Sequence, residues 1–271
     1  MRIFWTILGL ALLSGFGWAT QASAATIRME NGEACTFSLN GPIERGDAQA
    51  LRDFLETTGY TPYNGPGPHT GRYEPRLCLN SPGGSLAEAA EIAEIVFSGY
   101  ATRIRPNEQC LSACAWIFML GRTHEGDDFF VSNRAMSAHA RLGFHSPSLP
   151  VLDTEYSSQD ILNAINAMNE AFSVILDLAK GETPQQAIIG YDLVQRAMAT
   201  PSTEFFYIDT VGKVLRWGIE VLDIGPFDRS RRLTQAAEFN ACDNVENSLN
   251  FYDPSGGASW AASSTAGYGY S

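Results

Sequence analysis

The stretch Leu77-Cys78-Leu79-Asn80-Ser81-Pro82-Gly83-Gly84-Ser85 constrains the fold of this chain more than any other. A run of apolar residues too short for a helix empties into a proline and two glycines, and a helix leaves them at once. Ser85-Leu86-Ala87-Glu88 fits a capping box, and Leu86, Ala89, Ala90, Ala93 and Val96 keep a helical period behind it. A strand that hands over to a helix in so few residues is the building unit of α/β domains.

The rest of the chain alternates in the same way. Cys35 to Ile43 reads as a strand running into Gly-Pro, and Asp47 to Thr58 as a helix with Asp47 as its N-cap. Residues 59 to 75 are dense in glycine and proline and read as loop. Tyr100 to Ile104 is a second strand, Leu111 to Leu120 a short apolar helix, and Leu142 to His145 a third buried strand. Between Ser157 and Lys180, the residues Ile161, Ile165, Met168, Phe172 and Ile175 recur at helical spacing, with Gly181 closing the helix. Thr183-Pro184 opens another helix through about Met198. Phe205 to Ile208, Val211 to Trp217 and Ile219 to Ile224 read as strand, helix, strand. The expectation is a single α/β domain over residues 25–254 with a mostly parallel sheet. A small-residue tail, 255–271, is expected to be disordered.

The first residues read as an address. Arg2 precedes an apolar run from Ile3 to Phe16, and Ala22-Ser23-Ala24 supplies the small-x-small pattern at which leader peptidases cut. The expected cut follows Ala24, making 1–24 a signal peptide and the mature chain periplasmic or secreted. The rival is an uncleaved membrane anchor, for which the apolar run is short of the ~20 residues a span needs. No later segment is apolar enough to span. All five cysteines (Cys35, Cys78, Cys110, Cys114 and Cys242) follow the cut, where an oxidising compartment permits disulfides whose pairing spacing alone does not give. No Cys-x2-Cys pair exists and His124-Glu125 lacks a second histidine at helical spacing, so no metal site is expected. With 18 basic against 30 acidic side chains and a net charge of −12, the chain is a poor nucleic-acid binder. Lys180 and Lys213 are the only lysines, and the same acidity disfavours a polyanionic acyl-CoA.

Three places could carry chemistry. Gly83 and Gly84, lacking Cβ atoms ahead of a helix N-terminus, can turn N–H groups toward a developing oxyanion. The alternative is an ordinary turn needing glycine. Ser112, in Cys110-Leu111-Ser112-Ala113-Cys114, opens an apolar helix and is either its N-cap or a nucleophile. His145, in Leu142-Gly143-Phe144-His145-Ser146-Pro147, is the one histidine of four on an apolar strand. It is either a satisfied core residue or a general base. Cys110 and Cys114 flank Ser112 either as small buried hydrophobes or with one or both in disulfides that fix its turn.

In their order, these motifs resemble the Clp protease proteolytic subunit, of the wider Clp/crotonase fold, over roughly Cys35 to Ile224. Within that fold the chain is similar to exported bacterial proteins with a Cys-x-Ser-x-Cys core. The resemblance implies a repeated ββα spiral, Ser112 as nucleophile and His145 as base. Gly83 or Gly84 with the Ala113 N–H would form the oxyanion hole. It places the third triad member near Ser202-Thr203, leaving Thr203 or Glu204 for that role, and Gly218 at the glycine of the family's C-terminal block. The chain departs from the family at Glu108 and Cys114, where glycines belong. A serine–lysine dyad has no matching lysine.

The function so implied is that of an exported serine peptidase, free of cofactors and ATP, acting on peptides or unfolded chains. The substrate would lie extended beside the strand leading into Gly83-Gly84. The long helix after His145 corresponds to the family's oligomer-forming handle, so a homo-oligomer is a further expectation. The alternative is a binding or assembly module that keeps the fold and has lost the chemistry.

Overall fold

The structure is a computed structural model that describes residues 24–30, 34–62, 75–125, 129–148, 156–180 and 188–223. Its main sheet is built from β1 (Thr26–Met29), β2 (Phe37–Asn40), β3 (Arg76–Asn80), β4 (Ala101–Ile104), β8 (Arg134–Ser137) and β11 (Glu220–Leu222), in that spatial order. Only β1 is antiparallel to its neighbour, and β2 through β11 run parallel. A smaller sheet pairs β5 (Gln109–Leu111) in parallel with β9 (Arg141–Phe144), and β10 (Phe206–Tyr207) antiparallel on its other side. β6 (Arg122–Glu125) and β7 (Phe129–Ser132) form an antiparallel pair. The chain is therefore a single mixed α/β domain with a mostly parallel central sheet.

Parallel neighbours need crossovers, and helices supply them. These are α1 (Asp47–Thr58), α2 (Leu86–Phe97), α3 (Ala113–Met119), α4 (Ser158–Ala179), α5 (Tyr191–Ala199) and α6 (Val211–Arg216). α2 packs against α1, α3 and α4. Trp116 of α3 meets Phe144 of β9 and Phe172 of α4 edge-on, at 5.1 and 5.3 Å between centroids. That aromatic knot joins the elements on either side of Ser112 and His145, and such contacts add about 0.5–1.5 kcal/mol beyond burial. Among the described residues there are two disulfides: Cys35–Cys78 ties the approach to β2 onto β3, and Cys110–Cys114 spans Ser112. Cys242, Gly181, the 183–184 helix start and the 255–271 tail lie outside the described residues.

Several expectations change. Gly46, at φ 101°, is the N-cap of α1, with Asp47 its first helical residue. A glycine accepts that left-handed backbone without strain. The Ser85 box is half-formed: Ser85 accepts from the Glu88 N–H, whereas the Glu88 carboxylate accepts from Gly46 and Ala48 N–H and so caps α1 instead. The anticipated helix from Leu111 begins two residues later, because Leu111 still pairs with Gly143 in β5. The apolar stripe of α4 is buried only in its second half, at Phe172 and Ile175, while Ile161, Leu162 and Ile165 are exposed. β3 is paired on both sides, by β2 and β4, so the strand leading to Gly83-Gly84 has no free edge for a substrate.

Candidate active site

β3 ends at Asn80 and Ser81 follows, fully buried and bridged to Cys110. The Ser81 N–H donates to the Gln109 carbonyl and the Leu111 N–H donates to the Ser81 carbonyl, which brings β5 to the glycine turn. Gly83 and Gly84 have φ values of 100° and 142°. A Cβ on Gly83 would lie 2.7 Å from both Ser112 Cβ and the Leu111 carbonyl oxygen. A Cβ on Gly84 would lie 2.2 Å from the Ile43 carbonyl oxygen. The pair is therefore glycine because two other backbones press on it, and one of them carries Ser112.

Ser112 sits at the junction of β5 and α3 with φ 56° and ψ −124°. This is a costly conformation for a residue with a Cβ, about 1–3 kcal/mol. A serine on a sharp strand-to-helix turn is how several hydrolases expose a nucleophile. The N-cap explanation does not apply, since the Ser112 side chain makes no capping hydrogen bond. Its main chain is fixed: the N–H donates to the Gly143 carbonyl at 2.9 Å, and the carbonyl accepts from Ala115 at 2.9 Å. Cys110 and Cys114, both fully buried and bonded to each other, close the turn from below.

His145 is the first residue beyond β9 and is half-buried. Its Nδ1 lies 2.6 Å from the Ser146 carbonyl oxygen. A carbonyl can only accept, so Nδ1 carries a proton, and in the neutral ring Nε2 then holds the lone pair, the tautomer a general base needs. The Phe205 ring meets the imidazole edge-on at 5.0 Å.

Ser112, Ala113, Gly84 and His145 line one cavity of about 640 Å³, roofed by Trp116 and by Met168 of α4. Among the described residues the Ser112 hydroxyl and the Gly84 and Ala113 N–H groups have no hydrogen-bond partner, whereas the Gly83 N–H is taken by Ser81 Oγ at 3.1 Å. Thr203 and Glu204 are exposed and outside the wall; the residue of that turn in it is Ser202. Neither Thr203 nor Glu204 bonds to His145.

Sequence reasoning missed the Ser146 carbonyl, since a main-chain acceptor has no residue signature. It also missed Glu44 in the wall; its place next to Ile43, which pairs with Gly84, follows from sheet pairing alone. Among the described residues no group of three or more His, Cys, Asp or Glu could hold a metal, and no helix is long and apolar enough to cross a membrane. Neither a protein-family model nor a curated protein matches the chain.

Proposed function

We propose that the chain is an exported serine peptidase of the Clp protease-like fold. The observation that carries this reading is Ser112 at a left-handed backbone angle, its hydroxyl unspent, on the same cavity wall as a histidine whose Nδ1–H is already held. His145 Nε2 takes the hydroxyl proton as Ser112 Oγ attacks a peptide carbonyl carbon. The oxyanion forms toward the Gly84 and Ala113 N–H groups, and losing one such donor costs about 3–4 kcal/mol. His145 then gives its proton to the leaving amine, and water hydrolyses the acyl-enzyme. Gly83 contributes closeness to Ser112 rather than a donor.

The parallel run β2-β3-β4-β8-β11, with the smaller β5-β9-β10 sheet bridged to its end, supports a Clp/crotonase spiral. Two disulfides and the Ala-Ser-Ala motif support export with cleavage after Ala24. The exposed Ile161, Leu162 and Ile165 on α4 support a homo-oligomer.

A second reading has its own observation: His145 is oriented by a main-chain carbonyl and not by a carboxylate, as expected of a module that binds peptides without cutting them. A fluorophosphonate probe decides between them. Labelling of the purified protein that disappears in Ser112→Ala supports the peptidase. Equal labelling of the two, with peptide affinity unchanged by the substitution, supports the binding module.

A further inference from the structure

We propose that removal of the leader is itself a structural step: the α-ammonium group created on Ala25 is the cation that the buried carboxylate of Asp47 lacks. This inference rests on the export reading above, and it concerns a contact distant from the Ser112 chemistry.

Asp47 is 2% exposed. Its Oδ2 accepts the Glu44 N–H at 2.8 Å and the Ala25 N–H at 3.2 Å. Among the described residues it forms no ion pair with any Lys, Arg or His. The N-terminus of α1 lends a partial positive charge, but a buried carboxylate ordinarily has a full counter-charge. The nitrogen bonded to it belongs to the residue that directly follows Ala22-Ser23-Ala24. Two unrelated observations, a processing motif and a cation-free buried acid, thus meet at one atom.

Hydrolysis of the Ala24–Ala25 peptide bond by a leader peptidase consumes one water and leaves a carboxylate on Ala24. The Ala25 nitrogen changes from an amide with one proton to donate into an ammonium with three and a unit charge. At Asp47 Oδ2 this turns a neutral hydrogen bond into a buried, charge-assisted one. The same oxygen fixes Glu44, whose neighbour Ile43 donates to the Gly83 carbonyl and accepts from the Ser85 N–H, each at 2.8 Å. The new terminus therefore latches β1 to the corner that presses on the glycine pair.

The scarcity of lysine makes the test clean, because Lys180, Lys213 and the α-amine are the only amines of a chain beginning at Ala25. Such a chain is treated with an acylating reagent at pH 7 and mapped by mass spectrometry. An α-amine has an ordinary pKa of about 7.7–8 and should react fastest of the three. The expected result is acylation of Ala25 at least about tenfold slower in the native chain than in urea, with most of the rate restored by Asp47→Asn. Acylation of native Ala25 at the unfolded rate overturns the proposal, as does protection that persists in Asp47→Asn. Should that variant not fold, a chain extended by Gly-Ser before Ala25, which keeps the amide, is compared by thermal melting. A Tm lower by roughly 5 °C than that of the chain beginning at Ala25 is expected, and equal Tm values overturn the latch. The N-terminus of the exported protein is sequenced separately. A start other than Ala25 refutes cleavage after Ala24 and leaves the measured ion pair standing as a property of the engineered terminus only, which overturns its role in maturation.

Discussion

The Ser112 turn is held by two main-chain hydrogen bonds, by the Cys110–Cys114 bridge and by contact with Gly83. His145, lining the same cavity, is held by one hydrogen bond to its neighbour's carbonyl and one aromatic edge. On the proposed reading Ser112 is a strained nucleophile, and such a residue needs a frame that over-determines it, because its backbone would otherwise relax. On the same reading the imidazole takes up and releases a proton, for which the right tautomer and a rough orientation suffice. The contrast places most of the site's structural cost at the serine and leaves the histidine arm lightly built.

The largest effect that could break this contrast comes from Gly84→Ala. A methyl group 2.2 Å from the Ile43 carbonyl oxygen, at φ 142°, must separate the two chains. We expect a loss of more than about 3 kcal/mol in urea unfolding together with loss of probe labelling at Ser112. Next come the disulfides. Cys35–Cys78 closes a separation of 43 residues and Cys110–Cys114 one of 4. Chain-entropy arguments give about 4 and about 2 kcal/mol for their removal. The order should reverse for Ser112: opening Cys110–Cys114 with paired serines is expected to slow labelling about tenfold, as a 1–3 kcal/mol strain relaxes, while opening Cys35–Cys78 leaves the labelling of the folded fraction unchanged. Equal effects on labelling would show that the small bridge does not frame the turn.

On the histidine side the effects are smaller. Phe205→Ala should slow labelling about threefold, the worth of one aromatic contact. Glu204→Gln should change it by less than about twofold, since that side chain is exposed and makes no bond to His145. A large drop with Glu204→Gln would restore the carboxylate as His145's orienting partner.

Away from the site, burial pushes the Tyr100 hydroxyl up to about 12, and it donates to the Tyr60 carbonyl. The unfolded chain releases that proton near pH 10 and the folded chain only near pH 12. The unfolded state therefore binds fewer protons in that window, and stability must fall as pH rises through it. Tyr100→Phe is expected to flatten the fall in Tm between pH 10 and 12.

The legible parts of the fold were those with a local cause. α2 could be read because Ser85 caps it and its apolar residues repeat, and β3 because it is apolar and stops at Pro-Gly-Gly. β8 could not. Arg134-Ala135-Met136-Ser137 has no strand pattern, yet all four residues are buried inside the sheet. Arg134 is tolerated there because its guanidinium donates to the Met119, Trp217 and Gly218 carbonyls, partners far off in sequence. β5, at three residues, is too short to show a period, and its last residue, Leu111, reads as the start of the helix that follows. The carbonyls on which the Ser112 main chain and the His145 ring rest, those of Gly143 and Ser146, were invisible for the same reason.

From the residues alone came the alternation of strand and helix, the glycine pair, and a serine and a histidine set among apolar neighbours. These rest on period, capping and backbone freedom, which act over a few residues. Which cysteines join, what bends Ser112 to a positive φ, and what holds the imidazole proton were decided only when distant segments packed. Such interactions reward the chain only after its loops have closed, and no short stretch of sequence carries their energy.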